Sequence, residues 1–260
     1  MTRIKECEGV IRANTALTEK LWLVEIDVSE IGVDLKPGQF IHLLIPGMES
    51  HVLRRPFSVY YTKNNRQTLV VLYQVVGFGS AHLTTLEPGT SVRVMGPIGH
   101  GWTVPETCER ALLVAGGVGG APLYLHAEEL KKRNIAFDVV LGAQTASALV
   151  VEDKYTQLAG ANPYVATDDG TKGHAGFCTD VVAQRIAETS YDYVACCGPE
   201  PMMRIVSQMT LDAGIPTYIS LEKRMACGIG ACLSCIVETT EGRKRSCVDG
   251  PIFDAAKVVW

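Results

Sequence analysis

The sequence predicts a small antiparallel β barrel followed by a parallel-sheet α/β domain and a short cysteine-rich subdomain at the C-terminal end. Three observations carry the prediction. Residues 1–100 read as short strands cut by turn residues, residues 101–221 alternate strands with helices, and four of the nine cysteines fall after residue 222. Close-spaced strands point to an antiparallel barrel, and strand–helix alternation points to a parallel sheet with helices on its faces.

Composition sets the outer bounds. The chain has 260 residues, 47% apolar and 20% charged, and its 24 Lys+Arg against 28 Asp+Glu give a net charge of −4. That much apolar side chain with so little net charge excludes a disordered chain. No apolar run approaches the roughly 18 residues of a membrane span. A mildly acidic chain also lacks the basic surface that neutralises nucleic-acid phosphates. The N-terminus runs straight into an alternating strand pattern with no signal-peptide core. A reducing cytoplasm is therefore expected, and there metal or redox chemistry accounts for nine cysteines better than disulfides do.

Six barrel strands are expected at Ile4–Ala13, Lys20–Val28, Gln39–Ile45, Pro56–Tyr60, Thr68–Val76 and Ser91–Met95, with one short helix over Ser80–Leu86. Lys36-Pro37-Gly38, Lys63-Asn64-Asn65 and Glu87-Pro88-Gly89 supply turns between them. Gly96-Pro97-Ile98-Gly99-His100-Gly101 holds too much Gly and Pro for helix or strand and marks a boundary. Beyond it, strands are expected at Ala111–Ala115, Phe137–Leu141, Tyr164–Thr167, Tyr193–Cys197 and Thr217–Leu221. Helices are expected over Pro122–Arg133, Thr179–Glu188 and Pro201–Ala213, while the last forty residues show little periodicity.

Cys227, Cys232, Cys235 and Cys247 are spaced C-x4-C-x2-C-x11-C. This is the plant-type ferredoxin spacing for a [2Fe–2S] cluster held by four thiolates. Small residues at Gly228, Gly230 and Ala231 let the backbone wrap closely and aim N–H groups at sulfur. The competing reading is a zinc knuckle, but such sites usually pair two short C-x2-C steps and this segment has one. Cys7, Cys108, Cys178 and Cys196 read as small buried residues. Cys197 ends a strand before Gly198-Pro199, where parallel sheets bind ligands, and is open to both a functional and a packing role.

Ala115-Gly116-Gly117-Val118-Gly119-Gly120-Ala121-Pro122 joins a strand to a helix. Glycines there allow a pyrophosphate to approach, and the helix N-terminus offers unpaired N–H groups. Pro122 suits the first helical turn. The pattern is G-x-G-x-x-P and not the Rossmann G-x-G-x-x-G, so a plain tight turn remains the alternative.

Arg55-Pro56-Phe57-Ser58 resembles the R-x-Y-S flavin motif of the ferredoxin reductase-like family. In that family Arg pairs with FAD phosphates, the aromatic residue packs on the flavin, and Ser reaches the N5 edge. A guanidinium suits that task because its planar fork bonds two oxygens at once. Phe57 stands where the family commonly has Tyr, so a phenol hydrogen bond is lost while apolar packing is kept. Gly77-Phe78-Gly79-Ser80 resembles the second phosphate site, and Leu72-Tyr73-Gln74 resembles the segment lining the flavin.

The resemblance extends over essentially the whole chain. Gly117-x-Gly119 resembles the nicotinamide-nucleotide loop, and Cys197-Gly198-Pro199-Glu200-Pro201-Met202 resembles the C-G-P-x-P-M segment beside the nicotinamide. Met225–Cys235 and Cys247-Val248-Asp249-Gly250-Pro251 are similar to the electron-transfer subunit family of NAD-dependent (class B) dihydroorotate dehydrogenase. The nearest rival is the small subunit of the electron-bifurcating NADH-dependent reduced ferredoxin:NADP oxidoreductase. That family typically has Asp as first cluster ligand, where this chain has Cys227.

The resemblance implies domains at 1–100 for FAD, 101–221 for NAD and 222–260 for the [2Fe–2S] cluster. It implies an FMN-containing catalytic partner in pyrimidine synthesis, two of each chain, with electrons leaving through the cluster and FAD to NAD. Three cofactor modules leave no room for a dihydroorotate site here. NAD is preferred over NADP because Gly142-Ala143-Gln144-Thr145 lacks the Arg that receives a 2′-phosphate. Asp168-Asp169-Gly170 reads as a turn, Glu222 as a surface carboxylate and Lys154 as solvated. The six histidines show no ligand spacing and receive no role.

Overall fold

Runs of valine, isoleucine and leucine that alternate with polar residues build the first sheet. The computed structural model describes residues 4–28, 31–48 and 50–260. Its first seven strands are β1 (Lys5–Ala16), β2 (Leu21–Val28), β3 (Phe40–Leu44), β4 (Arg55–Ser58), β5 (Tyr61–Lys63), β6 (Thr68–Gln74) and β7 (Ser91–Ile98). They form one sheet in the order β4-β3-β7-β1-β2-β6-β5, and every pairing is antiparallel. Two short helices, α1 (Ile31–Asp34) and α2 (Phe78–Leu83), interrupt the series. Phe57 on β4 meets Tyr73 on β6 at a ring distance of 5.9 Å, although these strands are not neighbours, so the sheet curls on itself.

The sheet has seven strands where six were expected. The extra one, β5, is three residues long and follows β4 after only Val59 and Tyr60. It folds onto β6 through Asn64, Asn65 and Arg66, all at positive φ. Asparagine tolerates that region because its short side chain can bond locally. The core beneath is closed: Ile11, Val24, Ile26, Ile41, Leu43, Leu69 and Val94 have no exposed surface.

The second sheet contains β8 (Arg110–Gly116), β9 (Ala136–Ala143), β10 (Tyr164–Thr167), β11 (His174–Ala175), β12 (Tyr193–Cys197) and β13 (Thr217–Ser220). These run parallel. The hairpin of β14 (Ile236–Thr239) and β15 (Gly242–Arg245) forms a separate pair, and β16 (Ile252–Asp254) joins the second sheet antiparallel to β13. Helices α3 (Gly120–Lys132) and α4 (Glu152–Ala159) pack together, as do α5 (Cys178–Glu188) and α6 (Glu200–Asp212). Ala111–Val114 of β8 are wholly buried, as a strand covered by helices on both faces requires. At about 1.5–3 kcal/mol per large apolar side chain, this strand contributes much of the local driving force.

The sheet order β11-β10-β9-β8-β12-β13-β16 reverses direction between β8 and β12. By contact, the chain divides into two compact units. One runs to Gly101 and takes in Glu222–Val237 and Arg243–Pro251; the other holds Trp102–Leu221, Glu238–Gly242 and Ile252–Trp260. The cysteine-rich segment thus lies chiefly in the first unit, with its end in the second. None of the described helices is long and apolar enough to cross a membrane.

Candidate functional site

In the first unit, β4 presents Arg55 and Phe57, and α2 begins where β6 ends. The Arg55 guanidinium donates to the carbonyls of His51, at 3.1 Å, and Leu53. It also lies over Gly79, so closely that a Cβ there would sit 2.5 Å from Nε. Arg55 and the Gly77–Ser80 turn are therefore brought together. Ser80 serves the turn itself: its hydroxyl accepts from the backbone N–H of Val76 and Gly77 and donates to the Gly77 carbonyl. One hydroxyl has one donor and two acceptor positions, so its capacity is filled.

Tyr73 is buried, faces Phe57 edge-on, and donates to Asn14 Oδ1 at 3.0 Å. Burial pushes its phenol well above the ordinary value. Asn14 in turn donates to the carbonyls of Leu83 and Leu86, linking β1 to the end of α2. Successive side chains on a strand point to opposite faces. Leu72 and Gln74 therefore point away from the Phe57–Tyr73 pair and do not join it by their side chains.

In the second unit, Gly117–Gly119 forms a tight 3-10 turn between β8 and α3. Register places Cys197 beside Ala115. Gly119 backs onto the Cys197 carbonyl, and Gly116 lies against Pro199 and Met202. The glycine turn and the Cys197–Met202 segment thus meet where the sheet reverses, at the carboxyl ends of β8 and β12. Open α/β sheets bind ligands at such a switch point. The Cys197 thiol is buried, with 2% of its surface exposed. Asp168–Gly170 is a turn: Gly170 donates to the Thr167 carbonyl, and the Thr171 hydroxyl and N–H hold the Asp169 carboxyl below its usual range.

The four clustered cysteines all lie in the first unit and arrive as two pairs. Cys235 and Cys247 are buried with their sulfurs 3.3 Å apart. Burial, then the neighbouring sulfur, pushes the Cys247 thiol up to about 12. Cys227 and Cys232 are more open. Burial pushes Cys227 upward, but the N–H groups of Ile229, Cys232 and Ala231 together with the Cys232 side chain outweigh it and bring Cys227 to about 6. Among the described residues no three ligating side chains converge on one ion position. Two thiol pairs suit a binuclear cluster better than one tetrahedral zinc.

The loop around them is tied down. Arg245 donates from its backbone and Nε to Asp249 and from its guanidinium to the Gly230 carbonyl. Ser246 donates to the Cys235 carbonyl at 2.8 Å. Gly228 has φ +70, and a Cβ there would come within 2.9 Å of both the His42 ring and the Met95 methyl. Glu222, which precedes the loop, keeps an exposed surface, yet its surroundings desolvate the carboxyl and raise it above its ordinary value, so it is not a plain surface carboxylate.

Sequence reasoning passed over His42. It lies on β3 with no exposed surface, and neither ring nitrogen has a hydrogen-bond partner. Burial, then the Arg54 charge, lowers it to about 4. An unsatisfied buried polar group costs about 1–3 kcal/mol, so the position has a use. The available signal was a histidine between Ile41 and Leu43 on a strand buried on both faces.

A curled antiparallel sheet with an arginine–aromatic strand, a parallel sheet with a glycine turn at its switch point, and a paired-cysteine loop define a class. It is the oxidoreductases that combine FAD, NAD and iron–sulfur modules. Residues 10–102 match the oxidoreductase FAD-binding domain and residues 113–208 the oxidoreductase NAD-binding domain. Residues 222–259 match the iron-sulfur cluster binding domain of dihydroorotate dehydrogenase B. The dihydroorotate dehydrogenase B (NAD(+)) electron transfer subunit of Geobacillus sp. (strain WCH70) is 38% identical over 228 residues, 86% of each chain. That of Desulforamulus reducens is 36% identical over 245 residues, 92% of each chain. The chain belongs to this family of electron transfer subunits. A chain in the solved structure of the NADH-dependent reduced ferredoxin-NADP oxidoreductase matches with a TM-score of 0.89 at 29% identity, covering 97% of this chain and 90% of that one.

Proposed function

We propose that this chain is the electron-transfer subunit of an NAD-dependent dihydroorotate dehydrogenase in pyrimidine synthesis. Its partner is then an FMN-containing catalytic subunit that oxidises dihydroorotate, two copies of each forming the complex. The observation that carries the reading is the pairing of Cys227 with Cys232 and of Cys235 with Cys247, in one compact unit with the Arg55–Ser58 strand. Nicotinamide exchanges electrons in pairs and an iron–sulfur cluster singly, and a bound flavin supplies the conversion between them.

The chain's own residues position these groups. Arg55, anchored through the His51 and Leu53 carbonyls, holds a guanidinium ready for the FAD pyrophosphate beside α2. Phe57 and Tyr73 give an apolar wall, and Ser58 ends the same strand. Pro56 keeps β4 extended, and Ser80 fixes the turn that carries Gly79. Gly117, open where a Cβ would stand, leaves room for a dinucleotide phosphate at the N-terminus of α3, and Gly119 lets that turn close against the Cys197 carbonyl. Gly198 and the buried Cys197 border the same place. The four cysteines are the cluster ligands, and Arg245 with Asp249 braces their loop.

The test is reconstitution. NADH should form from dihydroorotate only when this chain and the catalytic subunit are mixed, and failure to couple them overturns the proposal. The structural match to the ferredoxin-NADP oxidoreductase chain supports a second reading, a flavoprotein subunit that delivers electrons to ferredoxin. Full-rate turnover of the isolated chain with ferredoxin would favour it. The cysteine at position 227 favours the first.

A further inference from the structure

His42 stands where the cysteine loop crosses the first sheet. A Cβ on Gly228 would be 2.9 Å from both Nδ1 and Cε1 of its ring, which places the imidazole directly under the residue after Cys227. Met95, its register neighbour on β7, belongs to the same buried cluster as Cys235 and Cys247. On the other side His42 pairs with Pro56, inside the Arg55–Ser58 strand. The register of β3 against β7 shifts between Phe40 and His42. Such a bulge re-aims a side chain, and bulges are common beside functional sites. The ring is wholly buried, yet both its nitrogens lack a partner.

An imidazole with this address has one N–H to give and sulfur as its neighbourhood. Hydrogen bonds to cluster sulfurs are a main determinant of reduction potential. We propose that His42 is a positioning residue for the iron–sulfur centre, donating a ring N–H to a cluster sulfur and so raising its reduction potential. The inference rests on the reading that the four cysteines hold the cluster. It adds an outer partner that neither the motif nor the spacing contains. The donor stabilises the more negative, reduced form, so removing it makes the cluster harder to reduce.

The experiment uses the whole chain, purified with its cofactors and labelled with 15N-histidine. Pulsed EPR of the reduced protein should show a weak nitrogen coupling. The coupling should vanish in His42→Phe, whose ring has similar size and no donor. The midpoint of the His42→Phe cluster should fall by about 59 mV, a tenfold change in the one-electron equilibrium. His42→Gln, which restores an N–H, should recover part of that shift. Iron and acid-labile sulfide are counted in every sample. A wild-type protein without iron refutes the cluster reading itself. Iron-loaded wild type without the coupling, a coupling that survives His42→Phe, or an unchanged midpoint in an iron-loaded His42→Phe overturns the role of His42. If His42→Phe loses its iron, the labelled wild type and His42→Gln decide the question.

Discussion

Replacing Arg55 with alanine tests the flavin side of the site most directly. The guanidinium is half-buried, oriented by two backbone carbonyls, and pressed over Gly79 at the first turn of α2. A hydrogen bond to a charged group is worth about 1.5–3 kcal/mol. Losing one such interaction with a phosphate should weaken FAD binding by roughly 10- to 150-fold, at about 1.4 kcal/mol per tenfold. Lysine keeps the charge without the fork and should recover only part of the loss. The measurement is titration of FAD into the deflavinated chain, read by quenching of flavin fluorescence. Iron content serves as the control that the cysteine loop is undisturbed. Gly79→Val, which drives a side chain into the same guanidinium, should weaken FAD in the same direction. If Arg55→Ala binds FAD as tightly as the parent chain, the phosphate role is wrong.

Two further outcomes follow from the same geometry. Cys232→Ser should abolish cluster assembly while leaving FAD bound, because Cys232 is exposed on the cysteine loop and the hydrogen bonds that hold Arg55, Tyr73 and Ser80 run to other residues; retained iron and acid-labile sulfide would refute its role as a ligand. The Asp27 carboxyl is held below its ordinary 3.8 by the Thr68 hydroxyl and then by Arg12, so it contributes stability that is present above that value and lost as pH falls through its folded pKa. Asp27→Asn should therefore lower the melting temperature at neutral pH and converge with the parent chain once Asp27 is protonated, flattening the acid side of the profile. An unchanged acid limb would sink that account.

The cysteine loop was the most legible part of the chain because ligand spacing is local and nearly free of context. The parallel sheet was legible for a related reason: Ala111–Ala115 and Tyr193–Cys197 are continuous apolar runs, the pattern of strands covered on both faces. Short edge pieces were not. Tyr61–Lys63 is too short to show a period of two, and Ile252–Asp254 becomes a strand only because β13 offers it an open edge. Helix α4, Glu152–Ala159, has a single buried residue, Tyr155, too little for a helical stripe to stand out. In the site, Arg55 and the Gly77–Ser80 turn were readable as motifs. That Ser80 is fully engaged in holding its own turn depends on three hydrogen bonds that no motif encodes. His42 was invisible for a different reason: its significance lies in Gly228, which is remote in sequence and meets it only through the fold.

The attachment of β16 to β13 has a topological consequence. Ser220 is paired with Ile252, so the segment between them leaves and re-enters the second sheet at adjacent strands. The cysteine loop is in effect an insertion whose two ends are stapled side by side. Lengthening such an excursion costs little, about 0.6 kcal/mol for each doubling of a flexible loop. Closure of the second sheet along β13 and β16 therefore places little constraint on the length of the cysteine loop.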